Sequence, residues 1–333
     1  LKAFEDAPIG NGPYQMDGKW EHDRRIKVKR FADYKGTPGK ADAIEFRIYS
    51  ENLAAFRDLQ GGSLDVVGQI PPEQIPTAAQ EFGERFLERP NSSFSYLGFP
   101  LYVPAFQKKE IRQALSMAIN REEITKTIFD GTRVPASSVV SPIVNGSRKD
   151  ACKYCRFDPV EAKRLYEKAG GIKGTLAIWF NSGAGHDEWV EAVANQWRQN
   201  LGITEVKYET LEFAEYLPKL DDEAVTGPFR LGWVMDYPSP QNYLQPIYST
   251  TGSSNNSAYS NKAFDDLLAQ GNRATTVDAG IELYQQAEDL LLEDLPVIPL
   301  WFGRNQSVHS ERVSGVIVDA YGNVRVADIE VKG

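Results

Sequence analysis

Histidine and cysteine are scarce in this chain, whose 333 residues include three histidines and two cysteines. His22, His186 and His309 lie far apart in the sequence and do not show the spacing of metal ligands. A structural zinc site needs about four ligands, and the two cysteines could supply only half of them. The sequence therefore argues against a metal centre, and we expect no cofactor.

Long apolar runs and basic blocks are missing as well. No run of about 18 apolar residues occurs, so no segment is predicted to span a bilayer. The formal net charge is -9, and the short stretch 24–30 is the longest basic block. Its charges alternate with Ile26 and Val28, as on the solvated face of a strand. Nucleic acid is therefore not an expected partner.

Sequence motifs of common catalytic sites are absent too. The chain contains no GxSxG, no HExxH, no P-loop and no GxGxxG. The near match at residues 10–13 ends in Pro13, which has no N–H to offer a phosphate. Paired carboxylates such as Asp265 and Asp266 fit a solvated helix surface better than an acid–base pair. An enzyme is therefore not indicated.

The two cysteines, Cys152 and Cys155, form a CxxC pair. Such a pair could be half a zinc site, a redox dithiol or a local disulfide. A redox pair is expected at a helix N-terminus directly after a strand, whereas here a loop with Gly, Ser and Arg precedes it and the next helix is predicted only near Asp158. We favour a small structural disulfide in an oxidising compartment.

The remaining sequence alternates between strand and helix patterns, and 41% hydrophobic residues suffice for real cores. The periodicity predicts strands at 24–31, 43–50, 64–67, 93–99, 175–180, 203–210 and 297–302, and helices at 52–60, 109–129, 158–170, 187–200, 262–270 and 277–294. Strand, helix and strand in succession are typical of an α/β fold.

One strongly apolar segment ends on a carboxylate and a rigid turn. Residues 229–235 predict a buried strand, and the prolines of 237–240 take the chain out of the sheet. Asp236 is therefore expected at the strand's end, beside Trp233 and Tyr237 and partly desolvated. A carboxylate placed there needs a cation, either an internal Arg or Lys or the ammonium group of a ligand. An internal salt bridge or a turn cap is the alternative.

Several separated segments, taken in order, resemble one family. They are residues 8–14 (PIGNGPY), Asp65 within 62–66, 111–122 (IRQALSMAINRE), 232–238, 259–265 and 295–300 (LPVIPL). The chain resembles extracellular solute-binding proteins of the peptide and nickel class, the dipeptide and oligopeptide receptors of ABC importers. The CxxC pair is similar to a feature of actinobacterial members.

The resemblance implies a type II periplasmic-binding-protein-like clamshell of the peptide-binding class, with two lobes. Family members are longer, and the motif at 8–14 normally lies well inside the chain, so we expect an N-terminally truncated chain with part of lobe I missing. Residues 1–90 with 300–333 would be what remains of lobe I, and 91–299 would be lobe II. The missing part would include the secretion signal and any lipid-anchored cysteine.

The resemblance also implies a function. The chain would be an extracytoplasmic receptor, periplasmic or a cell-surface lipoprotein, that captures peptides and delivers them to the permease subunits of an ABC transporter. It would touch the membrane only through a lipid anchor absent from this chain. A receptor of the same family for another solute, an oligosaccharide or a nickel chelate, is the alternative.

The resemblance assigns roles to particular residues. Asp236 would pair with the α-ammonium of the peptide. Arg230 matches a position where some oligopeptide receptors carry an arginine that engages the peptide carboxylate, although it could instead pair with Asp221 or Asp222. Trp233, Tyr237 and Tyr243 are candidate walls of apolar side-chain pockets, and their alternative role is in the core of lobe II.

Overall fold

The computed structural model describes residues 2–332, without the side chains of Lys2, Ala3 and Pro72. The chain divides into two compact units: unit 1 is Leu1–Asn91 with Arg304–Gly333, and unit 2 is Ser92–Gly303. The expected lobe boundaries, which begin at residue 1 and end at residue 333, include those two residues outside the described range, and the assignment of lobes stays a prediction.

Strands and helices alternate along most of the chain. The strands are β1 (Tyr14–Met16), β2 (Arg25–Arg30), β3 (Ala43–Arg47), β4 (Val66–Val67), β5 (Phe86–Gly98), β6 (Arg133–Pro135), β7 (Leu176–Asn181), β8 (Val206–Leu211), β9 (Phe229–Trp233), β10 (Val297–His309), β11 (Val313–Ser314) and β12 (Glu330–Val331). The helices are α1 (Lys2–Asp6), α2 (Asn52–Gln60), α3 (Ile75–Phe82), α4 (Pro104–Gln107), α5 (Lys109–Met117), α6 (Arg121–Thr127), α7 (Pro159–Lys168), α8 (Asp187–Leu201), α9 (Phe213–Asp221), α10 (Pro240–Tyr248), α11 (Lys262–Gly271) and α12 (Val277–Asp294).

Unit 1 contains a three-stranded antiparallel sheet in the order β1-β2-β3. The alternating stretch at 24–31 forms the central strand, and Ile26 lies opposite Phe46. A separate apolar cluster joins α2 and α3 through Phe56, Leu59 and Phe82. β4 pairs antiparallel with the end of β10. A groove of about 620 Å³ runs between β3 and β4 and is lined largely by aliphatic side chains.

Unit 2 is built on a mixed sheet in the order β10-β5-β9-β7-β8, with β6 paired to β10. β7 and β8 are parallel and are connected through α8, which confirms the predicted α/β unit. Gly202 ends α8 with a left-handed φ of 75°, a conformation that glycine adopts without steric cost. β9 is parallel to β7 and antiparallel to β5.

One large core supports this sheet. Ile178 and Phe180 of β7 pack with Trp189 and Trp197 of α8 in the main apolar cluster of unit 2. The indole of Trp197 donates to the carbonyl of Leu115 at 2.8 Å, which fixes α8 against α5. α8 is therefore packed against both β7 and α5, and the candidate site lies where β7 ends and α8 begins.

The helix predicted over 109–129 is wrong as a single element, because it is divided into α5 and α6. The chain leaves the helix after Met117, and Asn120 begins the next one by accepting a hydrogen bond from the N–H of Glu123 at 3.1 Å. Asparagine favours such a cap over a helix interior, since its short side chain competes for the backbone donors.

Two buried arginines tie this region to the rest of unit 2. Arg121 donates to the carbonyls of Pro299 at 2.6 Å, Cys155 at 2.8 Å and Ser116 at 3.1 Å. Arg112 donates to the carbonyls of Asp294 and Leu295, where α12 ends. Burial lowers the pKa of Arg112 to about 10 and that of Arg121 to about 9, so both remain charged at neutral pH. Their partners are backbone carbonyls and, for Arg121, also the hydroxyl of Ser116, which indicates a structural role.

Cys152 and Cys155 form a disulfide, with their Cα atoms 5.3 Å apart. The N–H of Cys152 donates to the carbonyl of Ser137 at 2.8 Å. Asp158, three residues after the bridge, accepts from the N–H of Glu161 and begins α7 as predicted. The bridge therefore closes a small loop whose two ends are also anchored by hydrogen bonds.

Candidate functional site

The sequence predicts Asp236 at the end of a strand, but the structure places it in the turn between β9 and α10. β9 ends at Trp233. The buried side chain of Asn242 explains the difference, because its Oδ1 accepts from the indole Nε1 of Trp233 at 3.0 Å and from the N–H of Asp236 at 2.9 Å. Its Nδ2 donates to Oδ2 of Asp236 at 3.1 Å. Asn242, which the sequence analysis missed, thus shapes the turn and orients the carboxylate.

The prediction that Asp236 is partly desolvated is wrong. Asp236 is exposed, and so is Tyr237, whose side chain leans along α10 to donate to Oε1 of Gln241. Trp233 is only half-buried. The carboxylate is therefore accessible from solvent and held in one orientation by Asn242.

Tyr243 is a core residue, which corrects its candidate role as a pocket wall. Its side chain is fully buried, and its hydroxyl donates to the carbonyl of Ser92 at 2.6 Å. A residue on the inner face of α10 has no surface to offer a ligand in this arrangement. Of the three aromatic candidates, Trp233 and Tyr237 have accessible surface.

Arg230 lies on β9 with most of its guanidinium removed from water, which lowers its pKa below the ordinary value. Its Nη1 donates to Oδ1 of Asn181 at 3.2 Å, and its Nε is buried without a hydrogen-bond partner in the part of the chain that the structure describes. The alternative pairing with Asp221 or Asp222 is wrong, since no carboxylate in residues 2–332 forms an ion pair with Arg230. Asp221 accepts instead from Asn256.

His186 lies immediately before α8 and is 9% exposed. Its Nδ1 accepts from the indole Nε1 of Trp189 at 3.2 Å, which places the imidazole proton on Nε2. Nε2 is buried and has no hydrogen-bond partner among the described residues, 2–332. Burial first, and then the nearby charge of Arg230, lowers the pKa of His186 to about 4, while Asp187 acts weakly in the opposite sense. At neutral pH the ring is therefore an uncharged donor.

Arg230 and His186 both present hydrogen-bond donors near the carboxyl end of β7. Nε of Arg230 and Nε2 of His186 are both buried donors without an acceptor, and the amides that begin α8 add further positive potential. A charged guanidinium beside a neutral imidazole donor suits a carboxylate or a similar anion. The sequence analysis selected Arg230 but not His186, because the indole bond that fixes its tautomer is visible only in three dimensions.

Other kinds of site receive no support. Within residues 2–332, no three side chains of His, Cys, Asp or Glu are grouped so that they could hold a metal ion. No helix in that range has the length and apolar character needed to cross a bilayer. The groove of unit 1 has charged side chains that pair with each other, such as Arg47 with Glu45 at 2.8 Å.

Comparison with known proteins gives a consistent result. The family model described as bacterial extracellular solute-binding proteins, family 5 middle, matches residues 1–255. A dipeptide-binding protein of Escherichia coli strain K12 is 27% identical over 336 residues, which cover 98% of this chain and 62% of that protein. The oligopeptide-binding protein OppA of Bacillus subtilis strain 168 is 26% identical, over 96% of this chain and 60% of its own length. The chain thus spans about three fifths of the length of these relatives.

Solved structures agree on the fold. HbpA2 from Haemophilus parasuis superimposes with a TM-score of 0.89 at 21% identity, over 99% of this chain and 66% of its own. The unliganded open form of the murein tripeptide-binding protein MppA gives a TM-score of 0.85 at 23% identity, with the same two coverages. The expected α/β fold of the periplasmic peptide-binding class is confirmed.

Proposed function

The chain belongs to the bacterial extracellular solute-binding proteins of family 5, and from this premise we propose that it is a non-catalytic receptor that captures peptides outside the cytoplasm. It delivers them to the membrane permease of an ABC importer. The relatives named as dipeptide- and oligopeptide-binding proteins support peptides as the ligand class. The disulfide between Cys152 and Cys155 supports an oxidising compartment.

The single observation that best supports a peptide ligand is the pair of buried donors in unit 2. Nε of Arg230 and Nε2 of His186 have no acceptor of their own. A buried donor without a partner costs stability, and an anionic ligand group would remove that cost on binding. We assign the C-terminal carboxylate of the peptide to these two side chains.

The α-ammonium of the peptide is assigned to Asp236. The resemblance implies this role for the carboxylate, and Asn242 supports it because it holds the carboxylate in one orientation toward solvent. A pre-oriented group loses less conformational entropy when it binds. Trp233 and Tyr237, which flank the same turn, would contact the first side chains of the peptide.

Isothermal titration calorimetry with trialanine in free, N-acetylated and C-amidated forms tests both assignments. Each modification should weaken binding about tenfold to a hundredfold, as expected when one charge-assisted hydrogen bond is lost. The acetylation effect should vanish in Asp236→Asn, and the amidation effect should vanish in Arg230→Met.

Equal affinity for the free and amidated peptides would refute the assignment of the peptide carboxylate to Arg230 and His186. Binding of an oligosaccharide or a nickel chelate, with no peptide of any form bound, would replace peptide capture by the alternative function.

A further inference from the structure

Arg133 is a second arginine that the proposed function does not use. It begins β6 and lies opposite Gly303 of β10. Its Nη1 donates to the carbonyl of the neighbouring Thr132 at 3.0 Å, and its guanidinium carbon lies 5.6 Å from the ring centre of Phe129. Burial lowers its pKa below the ordinary value for arginine. No acidic side chain described by the structure forms an ion pair with it.

The strand register places Arg133 and Arg230 on the same face of the sheet. Arg133 shares the side of Gly303, and therefore that of Trp301 two residues earlier, because side chains alternate along a strand. Arg230 lies opposite Leu97. Phe302 packs on Phe94 with ring centres 5.5 Å apart, so Trp301 and Leu97, which alternate with these two residues, lie together on the other face. The charge of Arg133 is also one of the causes that lower the pKa of Arg230.

Aromatic contacts along this face connect Arg133 to His186, one of the two residues to which the peptide carboxylate is assigned. Phe129, under the guanidinium, packs edge-on against Trp301 with ring centres 4.8 Å apart. Trp301 packs against Trp189 at 5.1 Å, and the indole of Trp189 donates to His186. Arg133 and His186 are thus linked within unit 2 by a chain of packed aromatic rings, and the charge of Arg230 acts on His186 as well.

Other buried arginines of this protein have strong partners. Arg148 pairs with Glu288 at 2.8 Å and with Asp289 at 2.7 Å. Arg112 and Arg121 each donate to several backbone carbonyls. By contrast, among the described residues Arg133 donates only to the carbonyl of Thr132, and Arg230 donates only to the side-chain oxygen of Asn181. The chain carries 46 acidic residues, so carboxylates are not in short supply. Two such charges on one face are best stabilised by an external anion.

We propose that the surface formed by Arg133, His186 and Arg230 selects peptides whose C-terminal residue is itself acidic, that is, ligands with two carboxylates at one end. This inference rests on the proposed function. Arg230 and His186 bind the main-chain carboxylate, as above, and Arg133 binds the side-chain carboxylate of a C-terminal Asp or Glu. Specificity then comes from charge pairing at one position, while the rest of the peptide is held without regard to sequence.

Calorimetry on the full chain with Ala-Ala-Glu and Ala-Ala-Gln tests the proposal, since these peptides differ in one charge and little in shape. The parent protein should bind Ala-Ala-Glu about tenfold tighter or more. Arg133→Met should abolish this preference, because it should weaken the binding of Ala-Ala-Glu much more than that of Ala-Ala-Gln, and Arg133→Lys should keep part of the preference. Arg164→Met, which removes an exposed arginine of α7 paired with Glu161, is the matched control and should change neither affinity.

Absence of a preference in the parent protein would overturn the proposal. So would an equal loss of affinity for both peptides in Arg133→Met, because that result describes a structural role. If neither peptide binds, peptide capture fails, and the site is tested separately by thermal shift with glutarate and butyrate at matched ionic strength. Greater stabilisation by glutarate that disappears in Arg133→Met supports the two-carboxylate site, whereas equal or no stabilisation refutes it.

Discussion

Replacement of Asn242 by alanine should destabilise unit 2 by about 2–4 kcal/mol. The side chain is buried and makes three hydrogen bonds, to the indole of Trp233, to the N–H of Asp236 and to its carboxylate. Each bond contributes about 0.5–1.5 kcal/mol net, and the indole and amide donors would lose their acceptor when the oxygen is removed. The bond to the exposed carboxylate counts at the low end of that range, because water can replace it.

Urea unfolding followed by tryptophan fluorescence measures this change. Five of the six tryptophans, all except Trp20, lie in unit 2, so the fluorescence reports mainly on that unit. The control is Asn256→Ala, which removes one exposed hydrogen bond, to Oδ1 of Asp221, and should cost less than about 0.5 kcal/mol. A parent-like urea midpoint for Asn242→Ala would refute the conclusion that this side chain holds the turn together.

Two further outcomes can be measured on the same preparation. The pKa of His186 falls to about 4 in the folded chain, so the unfolded chain takes up the proton first. Stability should therefore decrease as the pH falls from about 6.5 towards 4, by at most about 3 kcal/mol. His186→Gln, which keeps an N–H donor, should flatten that part of the curve, and an unchanged curve would contradict the burial of a neutral imidazole. The double variant Cys152→Ser, Cys155→Ser should lower the free energy of unfolding by about 2 kcal/mol, because the bridge spans a separation of only three residues. A variant as stable as the parent would show that hydrogen bonds alone hold this loop.

Local patterns in the sequence predicted the scaffold of the site well. The strand, helix and strand of β7, α8 and β8 follow from hydrophobic periodicity and from Gly202 at the helix end. The start of α7 follows from Asp158, which caps it. Such features depend on residues a few positions apart, and short-range stereochemistry is sufficient to predict them.

The chemistry of the site was less accessible from the sequence. Asp236 was selected from the strand and turn pattern and Arg230 through the resemblance. The orientation of the Asp236 carboxylate, however, follows from Asn242, which looks like an ordinary helix residue in the sequence. Arg133 and His186 gave no sign of belonging together, because they meet through strand register and aromatic packing across more than fifty positions. Contacts of that range are set by tertiary structure, which one sequence without its relatives does not display.

Arg112 and Arg121 lie in residues 111–122, one of the motifs through which the chain resembles its family. Their contacts support the fold and give no information about the ligand. Both side chains donate to several backbone carbonyls, and Arg121 also donates to the hydroxyl of Ser116. A lysine could not reproduce either fork of donors. Under the proposed function, a homologue could therefore keep this block intact while exchanging Arg133, Arg230 or Asp236, and it would retain the architecture but bind a different ligand. Differences in ligand specificity among homologues should therefore be sought at those three positions rather than in residues 111–122.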